Sequence, residues 1–348
     1  MNIPHHLFVQ DTSHVGQARR LVSALCHELE FDETRCAEAA IIVTELASNL
    51  IKHTGGVGGD LLLRPLPASA TTDVAGIEVL CWDKGPGIAN MAASLRDGYS
   101  TAGSAGTGLG AIRRLSAVFD LYAVLGQGTA VLSRLWRTTP PQALAALNVG
   151  AVCLPVQGEQ VCGDAWVMKQ DPQNTRLMVV DGLGHGPNAA AAANLAVAVF
   201  EQDVQSDLEE LIEHVHAALR GTRGAALAVA EVAGVAESSI GQRSVRFAGL
   251  GNISGLIING ESVRHMVSHH GTAGLSMPKI QSFTYDWPLD GLLVLHSDGL
   301  ATKWSLADYP GLACKDAALI AAVLFRDHQR LRDDSTVLVA KTASRAAP

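Results

Sequence analysis

Glu45, Asn49 and His53 recur at every fourth position of the stretch TELASNLIKHTGG, residues 44–56. At 3.6 residues per turn the three side chains share one helical face. A polar stripe of this kind ordinarily faces solvent. Two later stretches change its meaning. DKGPG sets Asp83 at the end of an apolar run with Gly85 and Gly87 behind it, and GTGLG sets Gly106, Gly108 and Gly110 before a helical stretch. Glycines let backbone approach polyphosphate closely, and the N–H groups that open a helix offer a positive end. A strand-end aspartate can accept from an adenine amino group. An asparagine oxygen can ligate Mg2+, and a carboxylate one turn earlier can orient or deprotonate an attacking hydroxyl. Each piece alone most often serves a turn; their order points to a nucleotide.

The second half of the chain carries four acidic stretches: CGDAW, VVDGLGHG, LHSDGL and LRDDSTVLV. Asp-Gly pairs usually mark turns. Here Asp181 follows LMVV and Asp298 follows LLVLHS, so each carboxylate emerges from an apolar strand-like run. Several carboxylates brought together repel unless cations neutralise them. Oxygen donors suit Mg2+ or Mn2+ and not zinc, and the chain has no paired Cys or His motif. Two such ions can activate a water and stabilise charge on a phosphoryl oxygen. His185 reads as a loop residue beside a helix start and His296 as a packed strand-end residue. SHHG at 268–271 reads as surface.

On its asparagine-box stretch TELASNLIKH and glycine-box stretches DKGPG and GTGLG, the first part, about 10–137, resembles the GHKL ATP-binding family in its anti-sigma-factor serine kinase branch. The resemblance implies ATP with Mg2+ as cofactor, Asn49 as Mg2+ ligand, Asp83 on adenine, and Glu45 as general base. It also implies Gly106, Gly108 and Gly110 over the phosphates and Thr129 near the adenine pocket. Lys52, Lys84 and Arg113 are candidates for phosphate contact, and residues 89–107 for a short lid. The second part, about 147–342, is similar to the metal-dependent serine/threonine phosphatases of the type 2C superfamily, in the SpoIIE-like and RsbX-like branch. That resemblance implies two Mn2+ or Mg2+ ions, with Asp164, Asp181, Asp298 and Asp333 as ligands and Gly182 contributing its carbonyl. Asp181 is the catalytic candidate among them. Asp334 falls outside the ligand set. GDAWVM lacks the second acid that many relatives carry.

These groups need rigid elements behind them. Helices are expected over 13–30 and 33–53, opened by Ser13 and Asp32. Strands are expected at 60–66, 76–83, about 120–126 and 129–137, with a helix at 109–119 between them. TTPPQ, at 138–142, reads as linker. Beyond it come strands near 149–156, 160–170 and 175–181, helices at 187–204 and 207–220, a β-rich run over 224–297, a helix near 315–328 and the strand STVLVAK. The domains expected are therefore 1–137, a linker at 138–146, and 147–348. The fold expected is two-domain α/β (α+β). It pairs a Bergerat-type α/β sandwich on a mixed sheet with an α-β-β-α sandwich of two antiparallel sheets holding metals at one end.

Composition agrees with a globular two-domain chain: 348 residues, 48% hydrophobic and 17% charged. A net charge of −8 argues against nucleic acid as partner. Six scattered cysteines suit free thiols in a reducing compartment. No basic, apolar leader is visible, and the apolar stretch 189–200 is too short to span a bilayer, so a cytoplasmic protein with no membrane partner is expected. The two resemblances together imply a bifunctional switch that phosphorylates and dephosphorylates a STAS-type anti-anti-sigma partner. A phosphatase governed by a nucleotide-sensing, non-kinase first domain is the alternative. A module that sequesters a sigma factor or other protein is a third reading. A homodimer is expected by analogy.

Overall fold

The computed structural model describes residues 4–66, 74–95, 108–138, 147–171, 173–204, 206–233 and 243–343. The chain divides into two compact units, Met1–Ala143 and Leu144–Pro348. The expected linker falls almost wholly outside the described residues.

The first unit runs β1 (His5–Val9), α1 (Thr12–Glu28), α2 (Glu33–Lys52), β2 (Gly59–Leu66), β3 (Gly76–Asp83), α3 (Met91–Ser94), α4 (Gly108–Leu115), β4 (Val118–Ala123) and β5 (Thr129–Trp136). Asp32 caps α2, its carboxylate accepting from Arg35 N–H at 2.8 Å. The cap of α1 is Asp11 and not Ser13: the aspartate accepts from Ser13 N–H at 2.8 Å, so the serine already lies inside the helix. The strands order as β1-β2-β3-β5-β4. Every pairing among these five strands is antiparallel, against the mixed sheet expected. The reason is parity. The α1–α2 hairpin returns the chain to the end where β1 stopped, so β2 runs back along it. The helices pack their apolar stripes, Ile42, Leu46 and Leu50 among them, against Leu61, Leu63, Val79 and Val131 of the sheet.

The second unit runs β6 (Leu147–Leu154), β7 (Asp164–Gln170), β8 (Asn174–Gly182), α5 (Pro187–Gln202), α6 (Leu208–Ala218), β9 (Ala225–Ala233), β10 (Arg243–Leu250), β11 (Ser254–Asn259), β12 (Ser262–His265), β13 (Ser268–His269), β14 (Phe283–Trp287), β15 (Leu292–His296), α7 (Ala317–His328) and β16 (Ser335–Thr342). One sheet orders as β13-β10-β9-β8-β7 with β14 beside β10, the other as β12-β11-β15-β16-β6. One apolar core lies between the sheets, around Leu177, Phe247, Trp287, Leu295 and Leu338. A second lies between the first sheet and α5 and α6. Helix α7 packs on β6 and β16, completing four layers, α-β-β-α. Ser268 and His269 of the SHHG stretch form the short strand β13, paired in parallel with β10, so this stretch is partly built into the sheet and not plain surface.

Candidate functional sites

In the first unit, Glu45 and Asn49 lie one turn apart on α2, both half-buried. Gly108 opens α4 directly above them. A methyl group on Gly108 would lie 3.6 Å from Glu45 Oε2 and 3.8 Å from Asn49 Oδ1. A carboxylate, an amide and the first N–H groups of a helix therefore converge. Asp83 ends β3, and its Oδ1 accepts from Gly85 N–H at 2.7 Å. Gly128, with φ +85°, presses on the same aspartate: a Cβ there would meet Asp83 O at 2.0 Å. Thr129, at the start of β5, follows that contact. Gly87 needs its φ of +72°, and a Cβ on it would strike Val124 O at 2.2 Å. Gly110 is buried within α4. His53 is the exposed C-cap of α2, its N–H donating to Asn49 O at 2.9 Å, so it closes the helix. Lys52, Lys84 and Arg113 are exposed. Gly106 and most of the expected lid lie outside the described residues.

In the second unit, Asp164 begins β7 and faces Asp181 across the β7–β8 ladder. Ser297, just past β15, donates from Oγ to Asp164 Oδ2 at 2.6 Å and accepts from Thr336 N–H at 2.9 Å. These bonds tie the carboxylate of one sheet to the end of the other. Asp298 follows Ser297, and its Oδ2 accepts from Asn252 Nδ2 at 2.7 Å. Asp333 precedes β16 and accepts from Asp334 N–H at 2.9 Å. Asp334 is 2% exposed and holds Val156 N–H and Gly163 N–H, each at 2.7 Å. Gly182 is packed where a Cβ would meet Ala189 O at 2.2 Å.

The electrostatics of this end of the sandwich are those of crowded acids. Burial pushes the Asp181 carboxyl up to about 9, and Asp164, Asp298, Asp333 and Asp334 push in the same direction. Burial lifts Asp164 to about 7 against the pull of the Ser297 and Thr336 hydroxyls. Asp333 is raised chiefly by burial. The donor set is all oxygen, which fits a hard divalent cation. Among the described residues no three Asp, Glu, His or Cys side chains form a closed ligand set by themselves. Water and backbone oxygen would complete the coordination.

His185 is exposed, and its Nδ1 lies 2.7 Å from Glu159 Oε1. Arg223 is exposed too; a methyl on Gly184 would lie 3.1 Å from its Nη1. His296 is buried, held below its usual imidazole value first by burial, with Nδ1 2.8 Å from Ser297 O. It packs against Trp304 with ring centroids 6.4 Å apart, as expected of a strand-end residue.

Residues 8–133 match the histidine kinase-like ATPase domain family, and residues 171–343 match the stage II sporulation protein E (SpoIIE) family. The first part is 31% identical over 119 residues to serine/threonine-protein kinase RsbT of Bacillus subtilis (strain 168), spanning 34% of this chain and 86% of that protein. The chain belongs to the histidine kinase-like ATPase family and joins that domain to a SpoIIE-type phosphatase domain. The phosphatase domain is similar to phosphoserine phosphatase RsbX of the same organism, 25% identical over 146 residues that span 41% of this chain and 70% of RsbX. Among solved structures, one described as "The bacterial stressosome: a modular system that has been adapted to control secondary messenger signaling" is 30% identical with a TM-score of 0.51. The match covers 57% of this chain and all (100%) of that one. A structure of RsbX in complex with magnesium is 20% identical with a TM-score of 0.47, covering 57% of this chain and 96% of that one.

Family membership implies a divalent metal in the phosphatase domain. Sequence reading passed over Ser297, Asn252 and Glu159, although Ser297 directly precedes Asp298 in LHSDGL. No helix among the described residues is long and apolar enough to cross a membrane.

Proposed function

We propose that the chain sets the phosphorylation state of a serine or threonine on a STAS-type protein partner from both directions. The ATPase domain transfers phosphate from ATP, and the phosphatase domain removes it by metal-assisted hydrolysis. The observation that carries the two-way reading is the stacking of Gly108 over Glu45 and Asn49. Nucleotide binding alone needs the glycine and the amide; a carboxylate at the same point supplies a base for the partner's hydroxyl.

In the ATPase domain, Asn49 offers its side-chain oxygen to Mg2+ and the start of α4 offers N–H groups to phosphate oxygens. Asp83, fixed by Gly85 N–H, faces the adenine amino group, with Thr129 beside it. Glu45 takes the hydroxyl proton. In the phosphatase domain, a bound divalent pair supplies a water of lowered pKa and neutralises phosphoryl charge. Asp164, Asp181, Asp298, Asp333 and the Gly182 carbonyl hold oxygens in place for it. Ser297 and Asn252 fix the direction of Asp164 and Asp298 through the other oxygen of each.

The test uses purified full-length Asp181→Asn protein, γ-labelled ATP and a STAS-domain protein from the same genome. Label on the partner that disappears with Glu45→Ala supports the switch. ATP binding by calorimetry without label transfer would overturn the kinase half and leave a nucleotide-regulated phosphatase. Capture of a sigma factor with neither activity present would turn the reading to sequestration.

A further inference from the structure

Cys153 and Cys162 are nine positions apart and form no recognisable motif, yet their sulfurs lie 3.6 Å from each other. Cys153 sits in β6; Cys162 lies just before Gly163 and Asp164 at the start of β7. Their closeness is built in. The Asp334 carboxylate grips Val156 N–H and Gly163 N–H, both at 2.7 Å, and so pins the two ends of the connecting loop together. Both thiols are free and half-buried. Cys153 Sγ also lies 3.5 Å from the backbone oxygen of Asp164.

A disulfide needs its sulfurs about 2.05 Å apart, so closing this pair takes a movement of roughly 1.5 Å. That movement falls at the neck of the loop, beside Asp164. We propose that Cys153 and Cys162 are a reversible thiol–disulfide pair whose closure displaces Asp164 and switches the phosphatase domain off. A hydroperoxide converts one thiol to a sulfenic acid and is itself reduced to water or alcohol. The second thiol then attacks that sulfur, forming the S–S bond and releasing water. Thiol–disulfide exchange with a small dithiol restores both thiols. Displacement matters because the Ser297–Asp164 bond of 2.6 Å leaves Asp164 little room to adjust. The effect on turnover rests on the proposed role of Asp164; the formation of the bond does not.

The experiment treats full-length protein with hydrogen peroxide, removes the oxidant with catalase, and splits the sample. One half is digested without reductant and mapped by mass. The other is assayed with Mn2+ and p-nitrophenyl phosphate before and after dithiothreitol. Mapping is needed because Cys26, Cys36, Cys81 and Cys314 are free thiols too. The expected result is a linked 153–162 peptide two hydrogens lighter than its reduced form. Turnover should fall at least tenfold and return with dithiothreitol. Cys153→Ser and Cys162→Ser should each keep basal turnover and lose the sensitivity. Failure to find the linked peptide overturns the proposal, and so does a linked peptide with unchanged turnover. Reduced wild type without any turnover would overturn the phosphatase reading instead, while the mass still reports whether the pair closes.

Discussion

Asp164 stands directly opposite Asp181 across the β7–β8 ladder, two carboxylates paired where a sheet ordinarily sets complementary side chains. No cationic side chain figures among the principal influences on Asp181, and every one of them pushes its carboxyl upward. Asp181→Asn keeps the shape and removes one of the crowded acids. The expected outcome is loss of Mn2+-dependent phosphatase turnover together with metal-free thermal stability equal to or above wild type. Turnover at the wild-type level would break the metal assignment. A marked loss of metal-free stability would mean that the acids are held by something other than a cation.

Adjacent aspartates divide structure from chemistry. Asp334 gives both carboxylate oxygens to backbone N–H groups, while Asp333 remains at the half-buried acidic end. Hydrogen bonds to a charged group contribute roughly 1.5–3 kcal/mol each. Asp334→Ala should therefore cost about 3 kcal/mol or more, which in a domain of this size lowers the melting temperature by roughly 6–12 °C. Asp333→Ala should leave the melting temperature near wild type and abolish metal-dependent turnover. Paired melting curves and assays check both, and equal destabilisation by the two variants would refute the division.

The candidate sites were legible where chemistry and backbone geometry demand the same residue. Gly87 of DKGPG carries positive φ and leaves no room for a Cβ, so the residue that the turn demands is also one that the candidate nucleotide site demands. Asp181 and Asp298 were visible because apolar runs stop at each of them. Contacts made through loop closure were invisible. Ser297 reaches Asp164 across 133 positions, and Cys153 meets Cys162 at the neck of a loop whose two ends the Asp334 carboxylate holds. Strand direction in the first unit also escaped, because it depends on the return path of α1 and α2 and not on the strands' own residues. The Ser13 cap failed for a smaller reason: Asp11, two positions earlier, accepts the serine's N–H.

Gly108 offers a test that separates nucleotide binding from folding. An alanine methyl would sit 3.6 Å from Glu45 Oε2, an ordinary van der Waals distance, so the fold has room for it. Alanine is also the better helix former, by about 1 kcal/mol in a helix interior and less at a terminus. Gly108→Ala should leave the domain as stable as wild type or slightly more so. It should weaken ATP at least tenfold, because the methyl occupies the space between α4 and the Glu45–Asn49 pair. Calorimetric titration beside a melting curve reads both, and unchanged ATP affinity would remove Gly108 from the site.

Glu78 in β3 lies between Arg64 of β2 and Arg134 of β5, in register with both. It is 2% exposed, paired with the Arg64 guanidinium and accepting from Arg134 Nε at 2.8 Å. Burial pushes its carboxyl up, but the two guanidiniums pull harder and hold it below the ordinary carboxylate value. The folded state therefore binds this proton more weakly than the unfolded chain. The resulting stability is fully present above the unfolded glutamate value of about 4.3 and is lost as pH falls through the lower folded value. Glu78→Gln leaves two arginines facing a neutral amide, and breaking a buried pair from one side costs roughly 3–5 kcal/mol. Near pH 7 the variant should unfold its first unit at clearly lower urea. As pH falls below about 4.3 the two proteins should draw together, and they should meet only once pH has passed the lower folded value, where wild type has lost what the variant never had. Urea titrations at several pH values, read by deuterium uptake in β3 peptides, follow both limbs. A difference between the proteins that stays constant down to pH 2 would mean that Glu78 supports the sheet by its shape and not by its charge.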